Sequence, residues 1–132
     1  MSLETFDPEG LPTAQTYSHA VATEGDRLVF VAGQVAEDAR GDVVGRGDLA
    51  AQSRQAFANL GRALAAAGAR PDQVAKITIL VAGYRREDLP AIEQGRVALF
   101  GAHRPADTLF GVAALSHPEY MIEVDAVAVL DD

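Results

Sequence analysis

Residues 74 to 81 read VAKITILV, a run of apolar and mostly β-branched side chains interrupted only by Lys76 and Thr78. That texture predicts a strand with little polar surface on either side. It recurs in Tyr17 to Ala22, Leu28 to Val35, Thr108 to Ala113 and Met121 to Leu130. Glu24-Gly25-Asp26 separates the first two of these runs, a spacing that predicts a hairpin with a short turn.

Elsewhere the period changes. From Asp48 onward, Leu49, Gln52 or Ser53, Ala56 with Phe57, Leu60 and Leu64 recur at helical spacing. Asp48 is placed to accept the orphan amide protons of the first turn, while Gly68 and Pro71 end the helix. A second helix is predicted over Leu89 to Phe100, with Ile92, Arg96 or Val97, Leu99 and Phe100 on its inner side. Gly95 weakens it by up to about 1 kcal/mol, and Gly101 stops it. Ala39 to Gly47, with its three glycines and several charges, is a loop with room for a small ribbon at Val43-Val44. Leu115 to Tyr120 is a second loop.

The order ββ, α, β, α, ββ predicts an α+β fold, one mixed sheet with two helices. Consecutive right-handed crossovers place both helices on the same face. The central β-α-β unit also predicts parallel pairing between the strands that flank the first helix. The other sheet face is apolar too, so it needs cover, and further copies of the chain supply it most simply. A homo-oligomer of a single domain spanning 1–132 is therefore expected.

Composition narrows the function classes. The amino terminus lacks a basic start followed by an apolar run, and no stretch approaches the ~18 apolar residues of a membrane helix. No membrane partner is expected. The absence of cysteine excludes disulfides and thiolate chemistry and fits a cytoplasmic protein. With 11 Lys and Arg against 19 Asp and Glu, the net charge of −8 opposes nucleic acid, whose binding depends on phosphate neutralisation. His19, His103 and His117 show no metal-ligand spacing, and no metal or other cofactor is expected.

Two groups stand out chemically. Glu123 and Asp125 are two apart in the last strand and so share a face, where carboxylates are costly unless paired or used. Partners such as Arg27 or Lys76 would make them structural; without such partners, Glu123 is a candidate acid/base. Asp107 lies just after Pro105-Ala106, at the entry to an almost wholly apolar strand.

The stretches TYSHAV at 16 to 21, LVFVAGQV at 28 to 35, QSRQAFANLGRALAAAGA at 52 to 69, Pro105-Ala106, and IEVDAVAV at 122 to 129 together resemble the Rid family, also called YjgF/YER057c/UK114. The resemblance covers nearly the whole chain. It implies a chorismate-mutase-like homotrimer whose sheets form a central barrel, with small-molecule clefts between subunits. It also implies kinship with enamine/imine deaminases that hydrolyse 2-aminoacrylate-type imines. In those an arginine grips the substrate carboxylate through a two-pronged bond, and a glutamate moves protons through water.

Carried over position by position, the resemblance places substrate contacts at Tyr17, Gly33 and Gln34 and the catalytic glutamate at Glu123. The arginine expected after Pro-Ala falls on Asp107. An asparagine of the second helix falls on Glu93, and the aromatic after it on Arg96. Losing the arginine's charge-assisted bond costs about 1.5 to 3 kcal/mol, one to two decades of binding, and an acid in its place repels the same substrate.

Three readings follow from these substitutions. Arg96 or Arg104 replaces the lost cation and imino-acid deamination persists. Alternatively, Glu123 acts as general acid/base on a neutral or cationic metabolite, as a hydrolase or deaminase of another substrate. A third possibility is that the cleft binds a metabolite without chemistry or serves as an interaction module. If Asp107 and Glu123 share the cleft, the two acids would also raise one another's tendency to hold a proton.

Overall fold

The computed structural model describes residues 3–6, 9, 12, 15–24 and 27–131. Its strands are β1 (Leu3–Phe6), β2 (Ala20–Thr23), β3 (Arg27–Val35), β4 (Val74–Ala82), β5 (Ala106–Val112) and β6 (Ile122–Leu130), and its α-helices are α1 (Leu49–Ala66) and α2 (Leu89–Phe100). The last four long strands form a mixed sheet in the order β3-β6-β4-β5, with β4 and β5 parallel and β6 antiparallel to both of its neighbours. The fold is α+β, two helices packed on one face of this sheet, as the hydrophobic pattern predicts.

The helix boundaries follow from local chemistry. Asp48 accepts a hydrogen bond from the Ala51 amide at 3.1 Å, satisfying one orphan donor of α1. Gly101 ends α2 at φ +57°, a conformation that glycine adopts without steric cost. Phe57, Leu60 and Leu64 of α1, Ile92 and Phe100 of α2, Ile77, Ile79 and Val81 of β4, and Ile122, Val124 and Ala126 of β6 close one core. Gly95 has a reason beyond helix propensity. A Cβ there would stand 2.3 Å from the carbonyl oxygen of Ser53 on α1, so glycine lets the two helices touch. The Ser53 hydroxyl completes that contact by donating to the Ile92 carbonyl at 2.8 Å.

Two pairings differ from the sequence expectation. The hairpin between Tyr17–Ala22 and Leu28–Val35 does not form; β2 pairs with β1 in a separate antiparallel ribbon, and β3 pairs with β6. Its turn residues Gly25 and Asp26 lie outside the described residues. The cause is visible at Ser18, whose amide donates to the Pro105 carbonyl at 3.0 Å and which bridges Ala106 in parallel register. That anchor holds the segment at the β5 edge, opposite β3. Nor are β3 and β4 neighbours. They run parallel, but β6 lies between them. The strand whose residues alternate buried and half-buried and finish fully buried occupies the centre of the sheet, where both edges are paired.

The sheet face away from the helices remains uncovered. Phe30 is 74% exposed, and Leu28 and Phe110 are about half exposed. Among the described residues no helix is long and apolar enough to cross a membrane.

Candidate functional site

Residues 15–17, one face of α2 and the start of β5 enclose an open cleft of about 600 Å³. Leu89, Glu93 and Arg96 reach it from one side of α2, at the i, i+4, i+7 spacing of a helix face. Asp107, Thr108 and Leu109 reach it from β5, and Gln15, Thr16 and Tyr17 close the third side. Tyr17 is placed by its neighbours, because the Ser18 hydroxyl donates to the Arg104 carbonyl while the Tyr17 ring stacks edge-on against His19, centroids 5.6 Å apart.

One ion cluster forms the polar end of the cleft. Asp107 pairs in register with Ile77, so its side chain projects to the helix side of the sheet. There Arg96 Nη1 donates to Asp107 Oδ2. The same guanidinium lies 3.1 Å, through Nε, from Glu93 Oε1 one helical turn earlier. Arg96 is nearly inaccessible, its side chain only 5% exposed. Its Nε and Glu93 Oε2 are both buried without a hydrogen-bond partner. One cation between two carboxylates leaves a negative balance.

This geometry alters two sequence expectations. Asp107 is not an isolated repulsive charge, because Arg96 neutralises it. Arg96 in turn is not an open fork for a ligand carboxylate, because Asp107 occupies one of its donors and Glu93 flanks another.

Glu123 lies elsewhere. Its register partner on β4 is Leu80, and Asp125 faces Thr78, so both acids project from the open sheet face. Asp107 and Glu123 therefore stand on opposite faces of one sheet and form no acid pair within a chain. The β3–β6 ladder shifts register between Val31 and Gln34, and the Glu123 side chain runs across Gly33 at this irregularity. A Cβ on Gly33 would meet Glu123 Oε2 at 2.0 Å, so only glycine leaves room for that carboxylate. Glu123 has no hydrogen bond or ion pair among the described residues.

Asp125 does not pair with Lys76. It accepts from the Thr78 amide at 3.1 Å, while Lys76 donates to the Ile77 carbonyl at 2.8 Å and to Thr108 Oγ1 at 3.0 Å.

Gln34 joins neither group. Its amide nitrogen folds back onto the Ala32 carbonyl at 3.1 Å, and its side chain lines a separate polar groove with Asn59 and Arg62 of α1. The structure thus brings Tyr17, Glu93, Arg96 and Asp107 together, sets Gly33 beside Glu123 on the opposite face, and leaves Gln34 apart.

The sequence pattern did not single out Leu89, although its spacing to Glu93 and Arg96 carried that signal. Gln52, which the helical spacing placed on the inner side, does more than fill the core: buried on α1, it ties the Gly45 loop and the loop before β6 to the helix. Its amide donates to the Gly45 and Glu119 carbonyls and accepts from the Met121 amide at 2.9 Å. Next to it, the Tyr120 hydroxyl donates to Glu37 Oε2 at 2.8 Å; that bond, with burial and the carboxylate's charge, raises the phenol above its ordinary pKa. Among the described residues no group of three or more His, Cys, Asp or Glu is gathered to hold a metal.

The family model described as "Endoribonuclease L-PSP" matches residues 9–130. A 2-iminobutanoate/2-iminopropanoate deaminase of Rattus norvegicus is 34% identical over 113 residues, 86% of this chain and 79% of that protein. The 3-aminoacrylate deaminase RutC of Acinetobacter baylyi is 34% identical over 128 residues, 97% of this chain and 98% of that protein. Among solved structures, the Rid-family protein YyfB of Yersinia pestis, described as of unknown function, superposes with a TM-score of 0.93 at 38% identity, covering 98% of this chain and all of that one.

Proposed function

For a chain that belongs to the Endoribonuclease L-PSP family, the Rid proteins, we propose a trimer with a small-molecule cleft between subunits that hydrolyses or deaminates a C–N bond in a metabolite other than 2-aminoacrylate. Relatives in this family are named as imine and aminoacrylate deaminases, so hydrolytic C–N chemistry is the starting point. One observation supports moving the substrate away from theirs. The Arg96 guanidinium is already held by Asp107 and Glu93, and among the described residues lining the cleft it is the one cation, so no two-pronged donor there is open to a substrate carboxylate.

In this proposal Glu123 is the general acid/base. It reaches the cleft only from another copy, because within one chain it stands on the far face of the sheet. The exposed Phe30, Leu28 and Phe110 of that face supply the apolar area an association needs. Tyr17, Gly33, Gln34, Glu93, Arg96 and Asp107 are proposed to line the composite cleft. A water attacks the C=N carbon while Glu123 takes its proton and passes it to the nitrogen, giving a carbinolamine; the hydroxyl proton then moves through the same carboxylate to the amine, the C–N bond breaks, and ammonia and a carbonyl result. No cofactor enters these steps.

A second reading, a metabolite-binding module without turnover, draws on the same separation of Glu123 from the cleft. Cleavage of RNA fits poorly, since the net charge is −8 and the cleft itself carries excess negative charge.

The test generates 2-aminoacrylate in place with a pyridoxal-phosphate lyase and follows its decay. Wild type is expected to leave the spontaneous rate unchanged. Asp107→Arg sets a second cation against Arg96, so it is assayed beside Asp107→Asn, which frees the Arg96 fork without a new charge; the variant that folds is expected to accelerate decay by about one to two decades, the worth of a charge-assisted carboxylate bond. Adding Glu123→Ala should abolish the gain. Fast decay with wild type that vanishes in Glu123→Ala would overturn the proposed change of substrate.

A further inference from the structure

The polar end of the α2–β5 cleft holds more negative charge than it neutralises within the chain. Arg96 cancels one carboxylate, and the second remains. Glu93 Oε2 is buried without a hydrogen-bond donor, yet its side chain is 26% exposed, so a turn of the carboxylate brings that oxygen to the cleft, where a ligand donor would relieve the cost of leaving it unpaired. Beyond this end the walls are Leu89, Leu109 and the Tyr17 ring, and the space of about 600 Å³ suits a metabolite-sized molecule.

From this arrangement we infer that the cleft takes a protonated primary amine on a short apolar body, its ammonium donating to Glu93 and its carbon chain lying against Leu89 and Leu109. The inference rests on the reading of this cleft as a small-molecule site and names the chemistry of its ligand. An ammonium brings three donors and a positive charge, which satisfy Glu93 Oε2 and the charge balance together.

Other ligand chemistries fit less well. A carboxylate must displace Asp107 from Arg96 and then lie beside Glu93. A neutral amide donates to Glu93 but leaves the charge uncompensated. Among the described lining residues the two carboxylates, Glu93 and Asp107, already share Arg96, so a metal ion would find too few free oxygens to coordinate it.

Butylammonium, butyramide and butyrate share one carbon chain and differ only in the head group. Titration into the full chain at neutral pH, followed by NMR at the Leu89 and Leu109 methyls, compares them directly. Butylammonium should bind about tenfold more tightly than butyramide, the difference between charged and neutral bonding, and butyrate should not saturate. Glu93→Gln should weaken butylammonium about tenfold and leave butyramide within about twofold.

Added salt gives a check that needs no variant, since it should weaken butylammonium and spare butyramide. Butyrate binding as tightly as butylammonium, unchanged butylammonium affinity in folded Glu93→Gln, or methyls that respond to none of the three would each overturn the inference. Ammonia release is measured separately on a panel of aminoalkyl imines and amidines, which carry both the ammonium head and the C=N bond that the water attacks. If the cleft binds butylammonium as stated but nothing in the panel is turned over, the hydrolytic reading falls and the ligand class stands. Tight butyrate binding sinks the ligand class whatever the turnover.

Discussion

The two faces of one sheet treat their carboxylates in opposite ways. On the helix side, Asp107 and Glu93 are gathered around a nearly inaccessible guanidinium, all within one chain. On the open side, Glu123 crosses Gly33 and has no partner among the described residues. A buried acid that is paired is part of the packing and can set ligand charge. One that is half-buried and unpaired contributes nothing to a single chain's stability and is available for proton transfer or for contact with another copy.

Removing the cation of the helix-side cluster is the harshest way to break that contrast. Arg96→Met keeps the apolar stem but leaves two carboxylates facing each other. Breaking a buried pair from one side costs about 3–5 kcal/mol, and the partial exposure of Glu93 puts this case near the lower figure. Denaturant unfolding at neutral pH reads the loss directly. Adding Asp107→Leu to the same chain should recover part of it, because it removes one of the two stranded carboxylates while Glu93, 26% exposed, turns to solvent. An Arg96→Met protein within about 1 kcal/mol of wild type would show that the cluster does not hold α2 to β5.

The next effect is smaller and tests how closely α2 must approach α1 for the cluster to form. In an open helix Gly95→Ala would gain about 1 kcal/mol from propensity. Here the new methyl meets the Ser53 carbonyl oxygen at 2.3 Å and its hydroxyl at 2.4 Å, so the helices must separate. Overpacking of this kind costs about 1–3 kcal/mol and outweighs the gain. The expected outcome is a lower unfolding midpoint together with shifted resonances at Glu93 and Arg96. A stabilised Gly95→Ala protein would mean the helices can part without strain.

Much of this architecture was legible in the chain because its causes are local. Asp48, Gly68 and Gly101 mark helix ends by capping chemistry, and the β-branched runs at 74–81 and 122–130 announce strands. Strand order was not legible. Nothing local in Ile122–Leu130 says that it inserts between β3 and β4, and the anchor that draws Ser18 to the β5 edge spans 86 residues.

The site divides along the same line. Glu93 and Arg96 are a readable i, i+3 pair, whereas Arg96 with Asp107 requires knowing how α2 packs on β5. The separation of Asp107 from Glu123 follows from register alone, and register is set by partners far away in sequence.

The smallest expected effect sharpens the comparison most. Glu123→Gln preserves the side chain's shape over Gly33 and removes a charge with no partner in its own chain, so unfolding at low protein concentration should change by no more than about 0.5 kcal/mol. The same substitution read across a range of protein concentrations separates two explanations of any larger loss. Stability lent by another copy grows with concentration through mass action, whereas stability from within the chain does not. A loss that appears only as protein concentration rises would place the glutamate's partner in a neighbouring subunit, where the proposed composite cleft requires it. A loss above 1.5 kcal/mol that is independent of concentration would mean that the open face pairs its carboxylate internally after all, and the contrast between the two faces would fail.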